Sequence, residues 1–224
     1  MGNKSKALLC WSSGKDSAWS LHILRMKREV EVVGLLTTVN ETYARVAMHA
    51  VRVELLEAQS KAIGLPLRPV PIPSPCSNAE YEAAMSRAVE RAKAEGITVM
   101  AFGDLFLEDI RRYREERFAG TGIAPIFPIW GLPTAELASE MVAAGLRARV
   151  TCVDPRQLSK SFAGREFDAD FLADLPPAVD PCGERGEFHT FAYDGPMFQH
   201  SIPVQPGEVV ERDGFVFADL LSIP

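Results

Sequence analysis

The residues best suited to chemistry form one short segment near the start of the chain, Ser12-Ser13-Gly14-Lys15-Asp16-Ser17. This segment follows the apolar run 7–11 and precedes a helical pattern that begins near Ala18. In a strand–turn–helix connection of this kind, backbone N–H groups point at one spot and the helix dipole favours an anion there. Small residues allow a ligand to approach the backbone, and Lys15 adds a charge suited to phosphate oxygens. The segment therefore predicts a phosphate-binding loop.

Two commoner phosphate motifs do not fit this segment. A Walker A loop needs its first glycine at position 9, where the chain has Leu9, and Ser or Thr after the lysine, where it has Asp16. A dinucleotide fingerprint needs three spaced glycines, and only Gly14 is present. A simpler interpretation stays open, in which Ser12 or Ser13 only caps a helix.

Composition narrows the class of protein. The 224 residues suffice for one large or two small domains, and 47% hydrophobic with 24% charged residues is ordinary for a globular protein. A net charge of −6 argues against a broad nucleic-acid surface. The four cysteines include no C-x-x-C pair, which argues against a disulfide framework or zinc finger. We find neither a membrane-length apolar run nor a signal peptide, and expect a cytoplasmic protein with no membrane or nucleic-acid partner.

The first half of the chain alternates between strand and helix patterns, which predicts right-handed βαβ units and a parallel sheet. We expect an α/β fold with a Rossmann-like sheet in residues 1–130 and a smaller α+β domain in 131–224. The predicted strands are 7–11, 31–39, 67–72, 97–102, 124–130, 147–153 and short pieces from 189 onwards, and the predicted helices are 17–28, 50–63, 78–94 (capped by Asn78), 108–118, 134–144 and 168–175. In parallel sheets ligands bind at the carboxyl ends of strands, so residues 12–17, 37–41 and 103–104 should converge.

A second cluster of reactive side chains spans residues 180–191. Gly183 and Gly186 permit sharp turns, and in an extended segment Glu187 and His189 would project from the same face. A carboxylate beside an imidazole can bind a metal, position an amine or act as acid and base. A surface ion pair explains the same spacing equally well.

A third cluster begins at Asp104, which directly follows a predicted strand and could carry Mg²⁺ together with substrate phosphates. On the next helix Arg111 and Glu115 share a face, as solvated ion pairs commonly do. His49 and Arg52 open another helix, where an arginine could meet a substrate carboxylate.

Taken in this order, the clusters resemble the diphthine–ammonia ligase family, whose loop belongs to the N-type ATP pyrophosphatases; Ser13 stands where that loop usually has Gly. The resemblance rests on 12–17, Leu36-Thr37-Thr38, Met48-His49, Phe102-Gly103-Asp104 with Arg111 and Glu115, and Gly183-Glu184-x-Gly186-Glu187-Phe188-His189-Thr190. It implies a HUP-type ATP-binding domain followed by a smaller domain. It also implies ATP contacts from Ser12, Ser13, Gly14, Lys15, Asp16, Ser17 and Thr37, catalytic roles for Asp104, Glu187 and His189, and substrate contacts from His49, Arg52, Arg111, Glu115 and Glu184.

The resemblance implies an AMP-forming ligase that uses ATP and Mg²⁺ to adenylate a small or protein-borne carboxylate and converts it to an amide with ammonia. Elongation factor 2 would be the partner only in a host that makes diphthamide. Two alternatives share the loop: an RNA-thiolating enzyme, and a nucleotide-binding protein without ligase chemistry. Scattered cysteines and acidic charge disfavour the first, whereas the reactive residues near 187–189 disfavour the second.

Overall fold

The computed structural model describes residues 4–40, 45–46 and 51–223. Its first part contains β1 (Lys6–Cys10), α1 (Lys15–Lys27), β2 (Glu31–Asn40), β3 (Arg45–Val46), α2 (Val53–Ile63), β4 (Leu67–Ile72), α3 (Asn78–Ala94), β5 (Ile97–Ala101), α4 (Glu108–Phe118) and β6 (Ala124–Ile126). Its second part contains α5 (Thr134–Ala143), β7 (Arg147–Val153), a 3-10 helix (Lys160–Phe162), α6 (Ala169–Asp174), β8 (Phe188–Asp194), β9 (Val204–Arg212) and β10 (Phe215–Ser222).

Five strands of the first part form a parallel sheet in which β2 lies between β4 and β1, and β5 lies between β1 and β6. The short β3 pairs antiparallel with the end of β2. From β1 the chain moves outwards in one direction through β2 and β4, and in the other through β5 and β6. The strand order therefore reverses between β1 and β5, where open α/β sheets bind ligands. The expected Rossmann-like sheet flanked by helices is confirmed.

The second sheet is antiparallel, with strand order β8-β7-β10-β9. It confirms the smaller α+β part, while the division at residue 130 stays a prediction. The β9–β10 hairpin turns at Asp213 and Gly214, with φ of 53° and 81°, the positive angles that a tight hairpin needs. Of the strand pieces expected at 202–204 and 208–211, the second lies within β9, which begins at Val204, whereas residues 202 and 203 precede the strand.

Local chemistry explains where several elements begin and end. Helix α3 is capped by Ser77, not by Asn78 as expected, because Ser77 and Glu80 form a reciprocal capping box. Helix α2 begins at Val53 and ends at Gly64, whose φ of 74° suits a glycine cap. The strand expected over 124–130 ends at Ile126.

A shared apolar core joins the two sheets, since Trp19 of α1 and Phe191 of β8 belong to the same buried cluster. At this junction the buried Gln59 accepts from Trp11 Nε1 at 2.7 Å and donates to the carbonyls of Ser13 at 2.9 Å and Ala192 at 2.6 Å. A buried amide with these bonds fixes relative position, because each lost partner leaves an unsatisfied polar group. Within the described residues, no helix is both long and apolar enough to cross a membrane.

Candidate functional site

A cavity of about 420 Å³ opens at the carboxyl ends of β1 and β5, where the strand order reverses. Segments of both sheets line it, so the second sheet closes the crevice of the first. The lining residues that carry the argument are Ser12, Lys15, Asp16, Ser17, Thr38, Tyr81, Gly103, Asp104, Arg114, Cys182, Gly183, Glu184, His189 and Thr190.

The loop between β1 and α1 does not begin the helix with a serine cap, which was the simpler of the two interpretations of this segment. Gly14 is the N-cap of α1 and no side chain caps it. Ser13 has a φ of 72°, a conformation that favours glycine, which explains why glycine is usual at this position in the motif. Ser13 is fully buried and its Oγ has no hydrogen-bond partner among the described residues.

The second sheet holds this loop in place from the opposite side. The backbone N–H of Lys15 donates to Thr190 Oγ1 at 3.1 Å, and that of Ala192 donates to the Ser13 carbonyl at 2.9 Å. Thr190 and Ala192 both belong to β8, whose first residues are also the last residues of the second predicted cluster. The two motifs, about 170 residues apart in sequence, therefore form one site.

Lys15 is the charged link between the two motifs. Its ammonium is buried, donates to both oxygens of Asp16 at 3.0 and 2.9 Å and to the Cys182 carbonyl, and lies 5.3 Å from the centre of the Phe188 ring. Burial is the largest single influence and opposes the charged form, but Asp16, Cys182 and Asp180 together outweigh it, so the pKa of Lys15 lies above its ordinary value. Lys15 therefore keeps a positive charge beside the cavity.

The turn at 180–187 separates two glutamates that the sequence could not tell apart. Gly183 and Gly186 have φ of 70° and 85°, which reverses the chain between them as predicted. Glu187 is 1% exposed, is absent from the cavity lining, and accepts the backbone N–H groups of Asp180 and Arg185, one on each oxygen, both at 3.0 Å. Its carboxylate holds the turn together, and its predicted catalytic role stays a prediction.

Glu184 faces the cavity instead. Its Oε1 accepts the N–H of Leu105 at 2.8 Å, which ties the turn to the chain just after β5. Burial, with the nearby carboxylates of Asp16 and Asp104, raises the pKa of Glu184 to about 7. Burial and the charge of Lys15 lower the pKa of the cavity-lining His189 to about 4, so its imidazole is neutral at pH 7.

Asp104 lies in the cavity as expected, but a partner that the sequence analysis missed engages it. Arg114 of α4 donates from Nε at 2.5 Å and from Nη2 at 3.0 Å, and its guanidinium lies 4.3 Å from the centre of the Phe102 ring. A Cβ at Gly103 would lie only 3.2 Å from the Ser17 nitrogen, so glycine allows β5 to approach the loop. The sequence did contain a signal for Arg114, because this residue lies on the same charged helix as Arg111 and Glu115.

Four other predicted residues are not brought to the cavity. Thr37 is buried and donates to the Trp11 carbonyl at 2.8 Å, whereas its neighbours Leu36 and Thr38 line the cavity. Arg52 forms an ion pair with Asp219 of β10 at 2.6 Å, beside a separate groove. Arg111 and Glu115 pair with each other at 2.7 Å on the surface of α4. His49 lies outside the described residues.

The residues present do not form a metal site of their own. Among the described residues, no three His, Cys, Asp or Glu side chains are grouped so as to hold a metal ion. The predicted Mg²⁺ ligand, Asp104, has both oxygens engaged by Arg114. The cavity is instead lined by the first turn of α1, a buried lysine and carboxylates, which suits a phosphate ester with a reacting group beside it.

Comparisons with known proteins agree with this two-part arrangement. A family model described as the diphthamide synthase N-terminal domain matches residues 5–120, and one described as the C-terminal domain matches residues 133–219. The chain is 27% identical to a diphthine--ammonia ligase of Bos taurus over 92% of this chain and 85% of the relative. It is 32% identical to one of Danio rerio and 31% to one of Homo sapiens, each over 58% of this chain. It spans about half the length of these last two, 51% and 49%. The chain belongs to the diphthamide synthase family.

Proposed function

We propose that this chain is an ATP-dependent ligase that adenylates a carboxylate and converts it to an amide with ammonia, releasing AMP and diphosphate. One observation carries the proposal: the loop at 12–17 and the turn at 182–184 face each other across a single cavity at the reversal of strand order. The names of the relatives support the same reaction, since each is a diphthine--ammonia ligase.

Each side of the cavity has its own task in this proposal. The loop at 12–17 and Lys15 would hold the triphosphate, because backbone N–H groups and a buried ammonium stabilise its negative charge without reorganising. Residues of the opposite wall, including Glu184 and His189, would lie beside the activated carboxylate. Binding both reactants in one cavity supplies proximity and orientation, which lower the barrier to acyl transfer.

Magnesium commonly accompanies ATP, bound by one or two carboxylates and the substrate phosphates. Here Asp104 does not fit that role as it stands, because Arg114 occupies both of its oxygens. The ion therefore has no protein ligand in this proposal.

RNA thiolation is the weaker alternative. It needs a reactive thiolate, and the cavity does contain Cys10 and Cys182. Burial raises the pKa of Cys10 to about 12 and that of Cys182 further, so both remain thiols at neutral pH, whereas reactive cysteines have lowered pKa values. The net charge of −6 also disfavours an RNA partner.

The test uses elongation factor 2 that carries diphthine, purified from cells that lack their own ligase, because the relatives are named for that acid. The protein is incubated with it, ATP, Mg²⁺ and ¹⁵N-ammonium chloride, and nucleotides and the modified peptide are analysed by chromatography and mass spectrometry. We expect AMP and a ¹⁵N-amide in equal amounts. ADP in place of AMP, or no nucleotide consumption, would contradict the proposal. The proposed partner implies a cytoplasmic site of action, where translation takes place.

A further inference from the structure

The proposed reaction requires a proton acceptor, and this inference rests on that reaction. At neutral pH ammonia exists mostly as ammonium, which has no lone pair with which to attack a carbonyl carbon. Because only a small fraction is neutral ammonia, a group beside the activated carboxylate that removes a proton from ammonium would increase the supply of the reactive form. General-base assistance is most effective when the pKa of the acceptor lies near the operating pH.

Most ionisable groups of the cavity wall are unsuited to this task. The carboxylate of Asp16 accepts from Lys15 at 2.9 and 3.0 Å, and that of Asp104 is held by Arg114 through two bonds. His189 is a weak proton acceptor, because burial beside Lys15 disfavours its charged form.

Glu184 differs from these groups in how it is held. Only its Oε1 is engaged, by the Leu105 N–H at 2.8 Å, and no described residue pairs with Oε2. The backbone N–H of Glu184 donates to Asp180 Oδ2 at 2.9 Å, so the main chain is also fixed. The carboxylate is therefore oriented towards the cavity by a bond that leaves one oxygen available. Its pKa of about 7 agrees with a group that can take up and release protons near neutrality.

We propose that Glu184 is the catalytic residue that deprotonates ammonium during amide formation. Ammonium gives one proton to Glu184 Oε2, and the electron pair released on nitrogen forms the C–N bond. The bond between the carbonyl carbon and the AMP oxygen breaks, and its electron pair leaves with AMP. The second proton passes from the new amide nitrogen to the departing phosphate. No oxidant or further reactant is needed.

The test compares two nitrogen nucleophiles with the same acid, elongation factor 2 carrying diphthine. Ammonium chloride must lose a proton before attack, whereas hydroxylamine is largely uncharged at pH 7. In Glu184→Gln we expect the rate of amide formation from ammonium to fall about a hundredfold or more. The rate of hydroxamate formation should stay within about twofold of the wild type. Glu140→Gln, on the exposed face of α5, is the matched control and should leave both rates unchanged.

Equal losses with both nucleophiles, or no loss with ammonium, would overturn the role of Glu184. If the wild-type protein forms neither product, the proposed function fails for that acid, and a second measurement decides the inference. The ¹³C-carboxyl resonance of Glu184, assigned from its loss in Glu184→Gln, is titrated with pH in ammonium chloride and in tetramethylammonium chloride. We expect ammonium to lower the pKa of Glu184 relative to the bulkier cation. Identical titrations would overturn the inference.

Discussion

Arg111 and Arg114 of helix α4, and Glu184 and Glu187 of the turn at 180–187, are two pairs of like charges three residues apart, and only one member of each pair lines the cavity. On α4, Arg114 lines it while Arg111 pairs with Glu115 at the surface. In the turn, Glu184 lines it while Glu187 is buried and holds the backbone. The side chain that does not line the cavity therefore has a different role in each case. On the helix it is a solvated charge, and in the turn it is a buried charge that holds the backbone. Sequence spacing is the same in both cases, so the partners decide the role.

The largest effect should come from Glu187→Ala. The buried N–H group of Asp180 and the part-buried N–H group of Arg185 would lose a charged acceptor at about 1.5–3 kcal/mol each, so we expect the free energy of unfolding to fall by about 3 kcal/mol or more. Urea denaturation measures this value, and Glu184→Ala, which removes the acceptor of a single N–H group, is the matched variant and should lose less. A loss below about 1 kcal/mol would show that the turn does not depend on this carboxylate.

The next effect concerns the loop at 12–17. In Lys15→Met the stem stays but the charge is lost, so ATP should bind roughly ten- to a hundredfold more weakly. Calorimetric titration gives the dissociation constant. Lys160→Met removes a lysine whose partner, Glu211, lies on the exposed surface, and it should bind ATP as the wild type does. Equal affinity in both variants would remove Lys15 from the nucleotide site.

The two arginines of α4 should differ in what they contribute to stability. Arg114→Gln breaks a two-bond pair with the largely buried Asp104, so we expect the free energy of unfolding to fall by about 1–3 kcal/mol. Arg111→Gln breaks an exposed i,i+4 pair worth about 0.5 kcal/mol or less. Thermal and urea unfolding compare the two, and similar losses would contradict the distinction drawn between them.

The smallest expected effect is an increase in stability, at Ser13. Ser13 has a φ of 72° and an Oγ without a partner among the described residues, so Ser13→Gly should raise the free energy of unfolding by up to about 1 kcal/mol. Ser13→Ala removes the hydroxyl but keeps the backbone strain, and separates the two causes. A destabilised Ser13→Gly variant would show that neither cost is present.

Local signals in the sequence predicted much of the fold. The apolar runs and helical periodicity gave β4, α4 and β7 with their observed bounds, because adjacent residues determine such patterns. The signals for the β1–α1 loop and for the turns at Gly183 and Gly186 were also local. Small residues mark these segments in the sequence, and the structure gives them positive φ angles.

What the sequence could not provide was the partner of each side chain. Arg52 is paired with Asp219, 167 residues away, and Asp104 with Arg114 across the start of α4. Thr37 and Thr38 occupy opposite faces of β2: Thr37 is buried and donates to the Trp11 carbonyl, whereas Thr38 lines the cavity. Each of these contacts depends on tertiary packing, which the spacing of residues along one segment does not determine.

The central claim is that the triphosphate of ATP is held between the β1–α1 loop and the turn that carries Glu184. A crystal structure with α,β-methylene ATP tests it most directly, because this analogue cannot transfer its adenylyl group. We predict phosphate oxygens in contact with the backbone N–H groups of Asp16 and Ser17, at the start of α1, and with the Lys15 ammonium. Nucleotide bound instead in the groove beside Arg52 and Asp219, with the β1–α1 loop in contact with no phosphate, would contradict the account.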